Sequence, residues 1–350
     1  MKNRIPEIDA LRYIAAFCII FAHIDSFTSL PILKILESHF GSFGLNTFFF
    51  FSGFLMYSNN KFTTAKDVIF FFKRRVAKIY PLFWLSIIII YFMNIFGFDV
   101  LYSNDISANK VILFLNILGL QGLGNISLSI WWFIGVILLY YFLFSIILHY
   151  SQSVRSVLIN SFLIFILLLF LKNEFNLIND DAFNYYIIFI AGILSAIAEN
   201  LNSFKKITLS YFIFLLSLLL ISYSGITTTH LLNISKRDIM FMMFAFIFTF
   251  YKIKFSFNSE PKVSSLIERL ADSSYSIYLF HIPVLTVFKL SVDLLIPFEV
   301  SNGYLPDYLI LFIGVPFTLF AGYFINIYFD KFYKKLAFNI KLWKQVVDNI

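Results

Sequence analysis

The chain has 350 residues, 60% of them hydrophobic and 13% charged, with a formal net charge of +7. Ordinary soluble domains carry about 25% charged residues, so the balance excludes a soluble globular class and makes a basic nucleic-acid binder a poor reading. Repeated apolar runs of spanning length define instead an all-α, polytopic membrane protein. The single cysteine, Cys18, excludes an internal disulfide and any cysteine metal cluster. The richness in Phe, Ile, Asn and Lys fits an AT-rich genome, and with it a multi-pass protein of a bacterial inner (cytoplasmic) membrane.

In chain order, the first expected span is Ile8–Phe27. Lys2 and Arg4 precede it as they would in a signal peptide, but Asp9 and Arg12 interrupt the apolar run and no small-residue cleavage site follows, so it is read as retained. Arg12 and His23 stand eleven residues apart. On a continuous helix that is three turns plus roughly 20°, with about 16 Å along the axis, so both would share one face. Asp9 lies three residues before Arg12 and can pair with it. An Arg within a span costs roughly 2.5–3.5 kcal/mol on insertion scales, which points Arg12 at protein or water. The plainer reading is that Arg12 reaches for headgroups and His23 is a satisfied polar residue. Asp25, two residues beyond His23, faces elsewhere unless the helix breaks.

The second span is Ser42–Tyr57, with Gly41, Gly44 and Gly53 allowing close helix approach. Thr63 and Thr64 can cap a short interfacial helix carrying Lys66, Lys73, Arg74, Arg75 and Lys78. Pro81 is expected at the start of the third span, Ile79–Phe96, where a proline costs little. The long loop that follows holds a short helix or half-span at Val111–Leu120. Further spans are expected at Trp131–His149, Val154–Leu171, Phe183–Ala198, Ile207–Tyr223, Ile239–Tyr251, Ser273–Leu290 and Tyr308–Phe329, which makes ten. With both termini cytoplasmic, inner segments hold 20 of the 27 Lys and Arg and outer segments 6, with Arg12 in the membrane. The positive-inside rule favours this orientation. The expected organisation is one membrane domain over residues 1–330 and a basic cytoplasmic tail over 331–350.

Five histidines could carry chemistry. His23 and His281 lie well inside spans. His149 falls at a helix end beside the helix dipole, and His39 and His230 fall in outer loops. Ser274 and Tyr278 share a face with His281, and Pro283 follows as a helix perturbation. That arrangement suits a cavity as well as it suits ordinary bundle packing. No metal-ligand spacing and no Gly-rich phosphate loop is present. The strip Lys73, Arg74, Arg75 and Lys78 reads either as an anchor on anionic headgroups or as a site for a phosphorylated ligand, since Arg grips phosphate bidentately. Trp131-Trp132-Phe133 marks either a membrane interface or a site.

Several stretches together resemble the membrane acyltransferase 3 family. They are DALRYIAAFCIIFAH (Asp9–His23), FFFFSGFL (Phe48–Leu55), FFKRRVAKIYPLFW (Phe71–Trp84), SLSIWWFIGVILLYYFLF (Ser127–Phe144) and SYSIYLFHIPVL (Ser274–Leu285). The match covers almost the whole chain. In the basic strip the family pattern has two arginines separated by two residues, whereas this chain has Arg75 and Lys78.

The resemblance implies an O-acetyltransferase moving acetyl from acetyl-CoA to a hydroxyl of a cell-surface polysaccharide or its lipid-linked precursor. No cofactor or metal is then resident, acetyl-CoA being a substrate. It implies His23 and His281 as catalytic residues, with His23 first choice for the base. Arg12, Lys73, Arg74, Arg75, Lys78, Trp132, Tyr140 and Ser276 would bind the acyl donor, supported by Asp9, Ser52 and Gly53. The implied partners are the donor, a carbohydrate acceptor and membrane lipid, with no nucleic acid. A neutral imidazole suits proton removal from a sugar hydroxyl. The competing classes are a flippase for lipid-linked sugars, whose midplane charges would line a path, and a glycan polymerase.

Overall fold

The computed structural model describes residues 5–60, 62–98, 100, 110–120, 131–151, 153–200, 261–296 and 304–347. Among these the architecture is all-helical. The helices are α1 (Pro6–Phe21), α2 (Pro31–Asn59), α3 (Ala65–Ile95), α4 (Lys110–Ile117), α5 (Trp132–Tyr150), α6 (Val154–Phe175), α7 (Asp180–Asn200), α8 (Pro261–Leu295), α9 (Leu305–Leu309) and α10 (Val315–Val347). A π-helical turn at Ile310–Gly314 joins the last two.

Five of the described helices are long and apolar enough to cross a membrane: α3, α5, α6, α8 and the α9–α10 run. This makes the chain a multi-pass helical membrane protein. The expected spans Ile207–Tyr223 and Ile239–Tyr251 lie outside the described residues.

The helix boundaries correct three expectations. The first span does not continue to Phe27. α1 ends at Phe21, and the chain turns through Ala22 and His23 into a 3₁₀ turn at Ile24–Ser26. Sixteen residues rise only about 24 Å, short of the roughly 30 Å hydrocarbon core. Secondly, the basic strip and the third span form one unbroken helix with Pro81 inside it, not a separate interfacial helix followed by a proline start. The capping expectation does hold, because the Thr64 hydroxyl accepts from the Asp67 N–H in a reciprocal capping box. Thirdly, α2 starts at Pro31 rather than near Ser42, so His39 lies on a helix and not in a loop.

α1 is sandwiched between α2 and α8. α2 packs on its far side against α7, and α8 packs on its far side against α10. α3 meets α5 and α8, while α5 also meets α6 and α7. α5 is the inner helix, with 67% of its most apolar window buried, against 17% for α6. The outward side chains of α6, such as Leu158, Phe162, Ile166 and Phe170, are exposed and apolar, as a lipid-facing helix requires.

Two glycines set the tightest contact. A Cβ on Gly53 would collide with the Phe189 carbonyl, and one on Gly192 with the Phe50 carbonyl. The backbones of α2 and α7 therefore meet directly, as small residues permit between membrane helices. Gly44 plays the same part on the other face of α2, where an added Cβ would stand 2.9 Å from the Ala15 carbonyl of α1. The short α4 is held to α3 by the Tyr80 hydroxyl donating to Leu118 O at 2.6 Å and by Trp84 Nε1 donating to Ile117 O at 3.0 Å. Those bonds satisfy carbonyls at the helix end.

Candidate functional site

Five helices contribute to a narrow cavity of about 100 Å³. α1 supplies Arg12 and α2 supplies Phe48 and Ser52. α3 supplies Arg75, Lys78 and Ile79. α5 lines it with Phe133, Ile134, Ile137 and Tyr141, and α8 closes it with Ser274, Tyr275 and Tyr278. The spacing explains the convergence: Arg75 and Lys78 are i and i+3 on α3, and Ser274 and Tyr278 are i and i+4 on α8.

Three cations thus come together from two helices. Arg12 is 3.5 Å from Asp9, as the i, i+3 spacing predicts, and its side chain keeps 27% of its surface exposed. Arg75 lies over the rings of Phe71 at 5.2 Å and Tyr141 at 4.8 Å, which fixes the plane of its guanidinium. The Tyr275 hydroxyl donates to Ile79 O at 2.9 Å and ties α8 to α3 across the cavity wall.

The face of α8 leads from this cavity to His281. Ser274, Tyr278 and His281 follow one another at four and three residues, about 10 Å from end to end. Tyr278 packs between the ring of Phe133, at 5.2 Å, and that of His281, at 6.1 Å. His281 is 2% exposed. Its Nδ1–H donates to Tyr278 O at 2.7 Å, which assigns the lone pair to Nε2. Among the described residues that buried Nε2 has no hydrogen-bond partner, an arrangement that costs stability. The His23 ring stands against it, with centroids 5.2 Å apart.

The structure brings the two histidines together from the turn after α1 and from α8, but not by the expected route. His23 is past the end of α1, at φ −121°, so the shared-face arithmetic with Arg12 does not reach it. The break also removes the reason for Asp25 to face away, and Asp25 stands in the next turn beside Glu37. Burial foremost, then the Asp25 charge and a hydrogen bond to Asp25, raise the Glu37 carboxyl above its usual range. The turn is held from outside by Asp307, whose Oδ2 accepts from Ser29 N–H at 3.1 Å and from the Ser29 hydroxyl at 2.6 Å.

Other residues expected at the site stand elsewhere. Lys73 and Arg74 are exposed and do not line the cavity. Arg74 Nη2 donates to Asn60 Oδ1 at 2.9 Å. Tyr140 is fully buried, its hydroxyl donating to Ala182 O at 2.6 Å, so it ties α5 to α7 while its neighbour Tyr141 faces the cavity. Trp132 stacks on Tyr185 at 5.6 Å. The Ser276 hydroxyl donates to Gly322 O at 2.6 Å and to Ser273 O at 2.8 Å, joining α8 to α10. Gly53 belongs to the α2–α7 contact, and Ser52 does line the cavity. Sequence reasoning missed Tyr141 and Tyr275. The helical register of the basic strip and of Ser274 could have found them only with the packing partner known. Among the described residues no cluster of His, Cys, Asp or Glu could hold a metal.

The bundle thus gathers Arg12, Arg75 and Lys78 on one narrow cavity, with the His281 ring packed beyond Tyr278 in its wall. Residues 5–333 match the acyltransferase domain that defines the acyltransferase 3 family, and the chain belongs to that family of membrane acyltransferases. Neither a search of curated proteins nor one of solved structures finds a match.

Proposed function

We propose that the chain is an O-acetyltransferase of the bacterial inner membrane that moves acetyl from acetyl-CoA to a hydroxyl of a cell-surface polysaccharide or its lipid-linked precursor. The observation that carries this reading is the meeting of Arg12, Arg75 and Lys78 on the narrow cavity, with the His23–His281 pair beyond Tyr278 in its wall. A phosphorylated donor needs cations at one end and a base at the other. The cations take the anionic part of the donor, charge-assisted hydrogen bonds being the strong ones. The thin pantetheine arm follows the Ser274–Tyr278 stripe and delivers the thioester to the imidazoles.

His23 is partly exposed, so an acceptor hydroxyl can reach it. His23 takes the proton as the hydroxyl oxygen attacks the thioester carbonyl. The tetrahedral adduct collapses, the C–S bond breaks, and the thiolate leaves and takes up a proton to become CoA thiol. The buried His281 Nε2 lone pair accepts from the His23 ring as it gains the proton, which orients that ring and spreads its charge. General-base action of this kind contributes typically 10²–10⁴-fold.

Two experiments test the reading. A strain lacking the gene should make surface glycan of unchanged chain length without the acetyl mass, read by mass spectrometry; shortened or missing chains would favour a flippase or polymerase instead. Purified protein should transfer acetyl from acetyl-CoA to a soluble sugar acceptor, and near wild-type turnover by His23→Ala would remove His23 as the base.

A further inference from the structure

At the end of the bundle that carries the basic strip lies a second, larger cavity of about 730 Å³. Its size falls in the range of small-molecule sites, about 300–1,000 Å³. It forms where the C-terminal ends of α2 and α5 meet the N-terminal end of α6. Ser58, Asn60, Thr63, His149, Ser151 and Ser153 give it polar walls. None of the described lining residues is charged, although five Lys and Arg follow between Lys66 and Lys78. A ligand with net charge finds no counter-ion in these walls, whereas a zwitterion needs none.

The helix ends around this cavity carry opposite partial charges. α2 and α5 finish in the extended C-cap residues Asn60 and Ser151, so the chain leaves each helix without winding on. Asn60 Nδ2 covers Met56 O at 2.8 Å. The other last-turn carbonyls have no intrahelical partner and form the negative end of each helix dipole. His149 Nδ1–H donates to Phe62 O at 3.1 Å, which leaves its Nε2 as a further acceptor. α6 offers the reverse polarity. Its capping box engages the Ser156 N–H, while the N–H groups of Val154 and Arg155 have no intrahelical partner. The Arg155 side chain is exposed one residue beyond Val154 in the cavity wall.

From the α6 side of the cavity an exposed apolar ridge runs along the helix. Val154 lines the cavity, and Leu158, Phe162 and Ile166 follow at four-residue steps with exposed side chains. From Val154 to Ile166 the helix rises about 18 Å, more than half of the roughly 30 Å hydrocarbon core. We propose that the cavity seats the phosphoethanolamine head of one membrane lipid, with its acyl chains laid along this ridge. The ammonium donates to the last-turn carbonyls of α2 and α5, and the phosphate accepts from the start of α6 and from Arg155. Phosphatidylglycerol brings the phosphate but no ammonium, so it leaves those carbonyls without a cation. A free amine has no use for the ridge. The site stands apart from the narrow cavity and the histidines, and it does not depend on the acyl-transfer reading.

The test uses the full chain in nanodiscs of equal phosphatidylethanolamine and phosphatidylglycerol with matched acyl chains. Native mass spectrometry then reads the lipid retained on the released protein. Phosphatidylethanolamine should be retained over phosphatidylglycerol by about tenfold or more, the size expected of a hydrogen bond to a charged group. Phosphatidylcholine, whose ammonium has no N–H to donate, should be retained far less than phosphatidylethanolamine. Ser58 is exposed at the last turn of α2, so Ser58→Trp fills the cavity without entering the core and should abolish the preference. Arg155→Glu should weaken it by removing a donor to the phosphate. Equal retention of phosphatidylethanolamine and phosphatidylglycerol on the unaltered protein overturns the proposal. So does equal retention of phosphatidylcholine, or a preference that survives Ser58→Trp or Arg155→Glu unchanged. If Ser58→Trp does not fold, the lipid preference of the unaltered protein decides alone.

Discussion

The two seams on either side of α1 and α2 are built on opposite principles. Between α2 and α7 the contact is glycine against backbone, with Gly53 under Phe189 and Gly192 under Phe50, and Phe49 stacked on Tyr185 at 4.6 Å. Nothing larger than a hydrogen fits there. Where α1 and the turn after it face α8, the facing groups include His23 and His281, whose ring centroids stand 5.2 Å apart, and Ser274 and Tyr278 on the same face of α8 line the cavity. In lipid, where tails are as apolar as leucine, helix association depends on close van der Waals fit and interhelical hydrogen bonds. The first seam supplies the fit. The second can then carry a buried imidazole nitrogen that has no partner among the described residues.

The sharpest way to break this contrast is at the histidines. His23→Ala should lower kcat by on the order of 10²–10⁴-fold, with the KM for acetyl-CoA little changed and thermal stability in detergent preserved. Equal loss of stability and activity would make the histidine seam structural, like its neighbour. On the other seam, Gly192→Val should do the reverse, forcing α2 from α7 and destabilising by on the order of 1–3 kcal/mol or more. Thermal unfolding followed by size-exclusion checks this; a stable, fully active variant would mean that the close approach is dispensable.

A smaller effect separates the cations from the histidines. Arg75→Ala should raise the KM for acetyl-CoA about tenfold with kcat nearly kept, and Arg75→Lys should recover little, because an ammonium cannot lie flat between Phe71 and Tyr141 or fork onto phosphate. The smallest change concerns the tie at Tyr140. Tyr140→Phe removes the hydrogen bond to Ala182 and should cost about 1 kcal/mol of stability, with KM unchanged. A raised KM there would return Tyr140 to the donor site that the family resemblance implies.

Much of the fold was legible in the residues. Apolar runs located the helices because hydrocarbon tolerates only backbone that satisfies its own hydrogen bonds, and the expected spans within the described residues fall on helical segments, the first of them only as far as Phe21 before the chain turns. Thr64 begins its helix with a capping box because its side chain can accept from the first turn. Asp9 and Arg12 meet because three residues on a helix bring them to one face. The errors fall where local pattern and tertiary packing diverge. Pro81 is tolerated inside α3, where a proline reads from sequence as a start signal. α1 stops at Phe21 although the apolar run goes on, and beyond the 3₁₀ turn that follows, Ser29 is tied to Asp307, 278 positions away in sequence.

By itself, the sequence determined the class, the family and the identity of the polar residues inside the membrane, since each of these depends on composition, periodicity and motif order. Only the tertiary structure decided which of those residues meet. Adjacent positions parted company: Arg75 lines the narrow cavity and Arg74 does not, Tyr141 faces it and Tyr140 is sealed behind it, and Ser274 lines it while Ser276 bonds to α10. The physical reason is that consecutive helical residues point about 100° apart. A motif fixes the residue types, but the packing of five helices selects which face of each one surrounds the cavity.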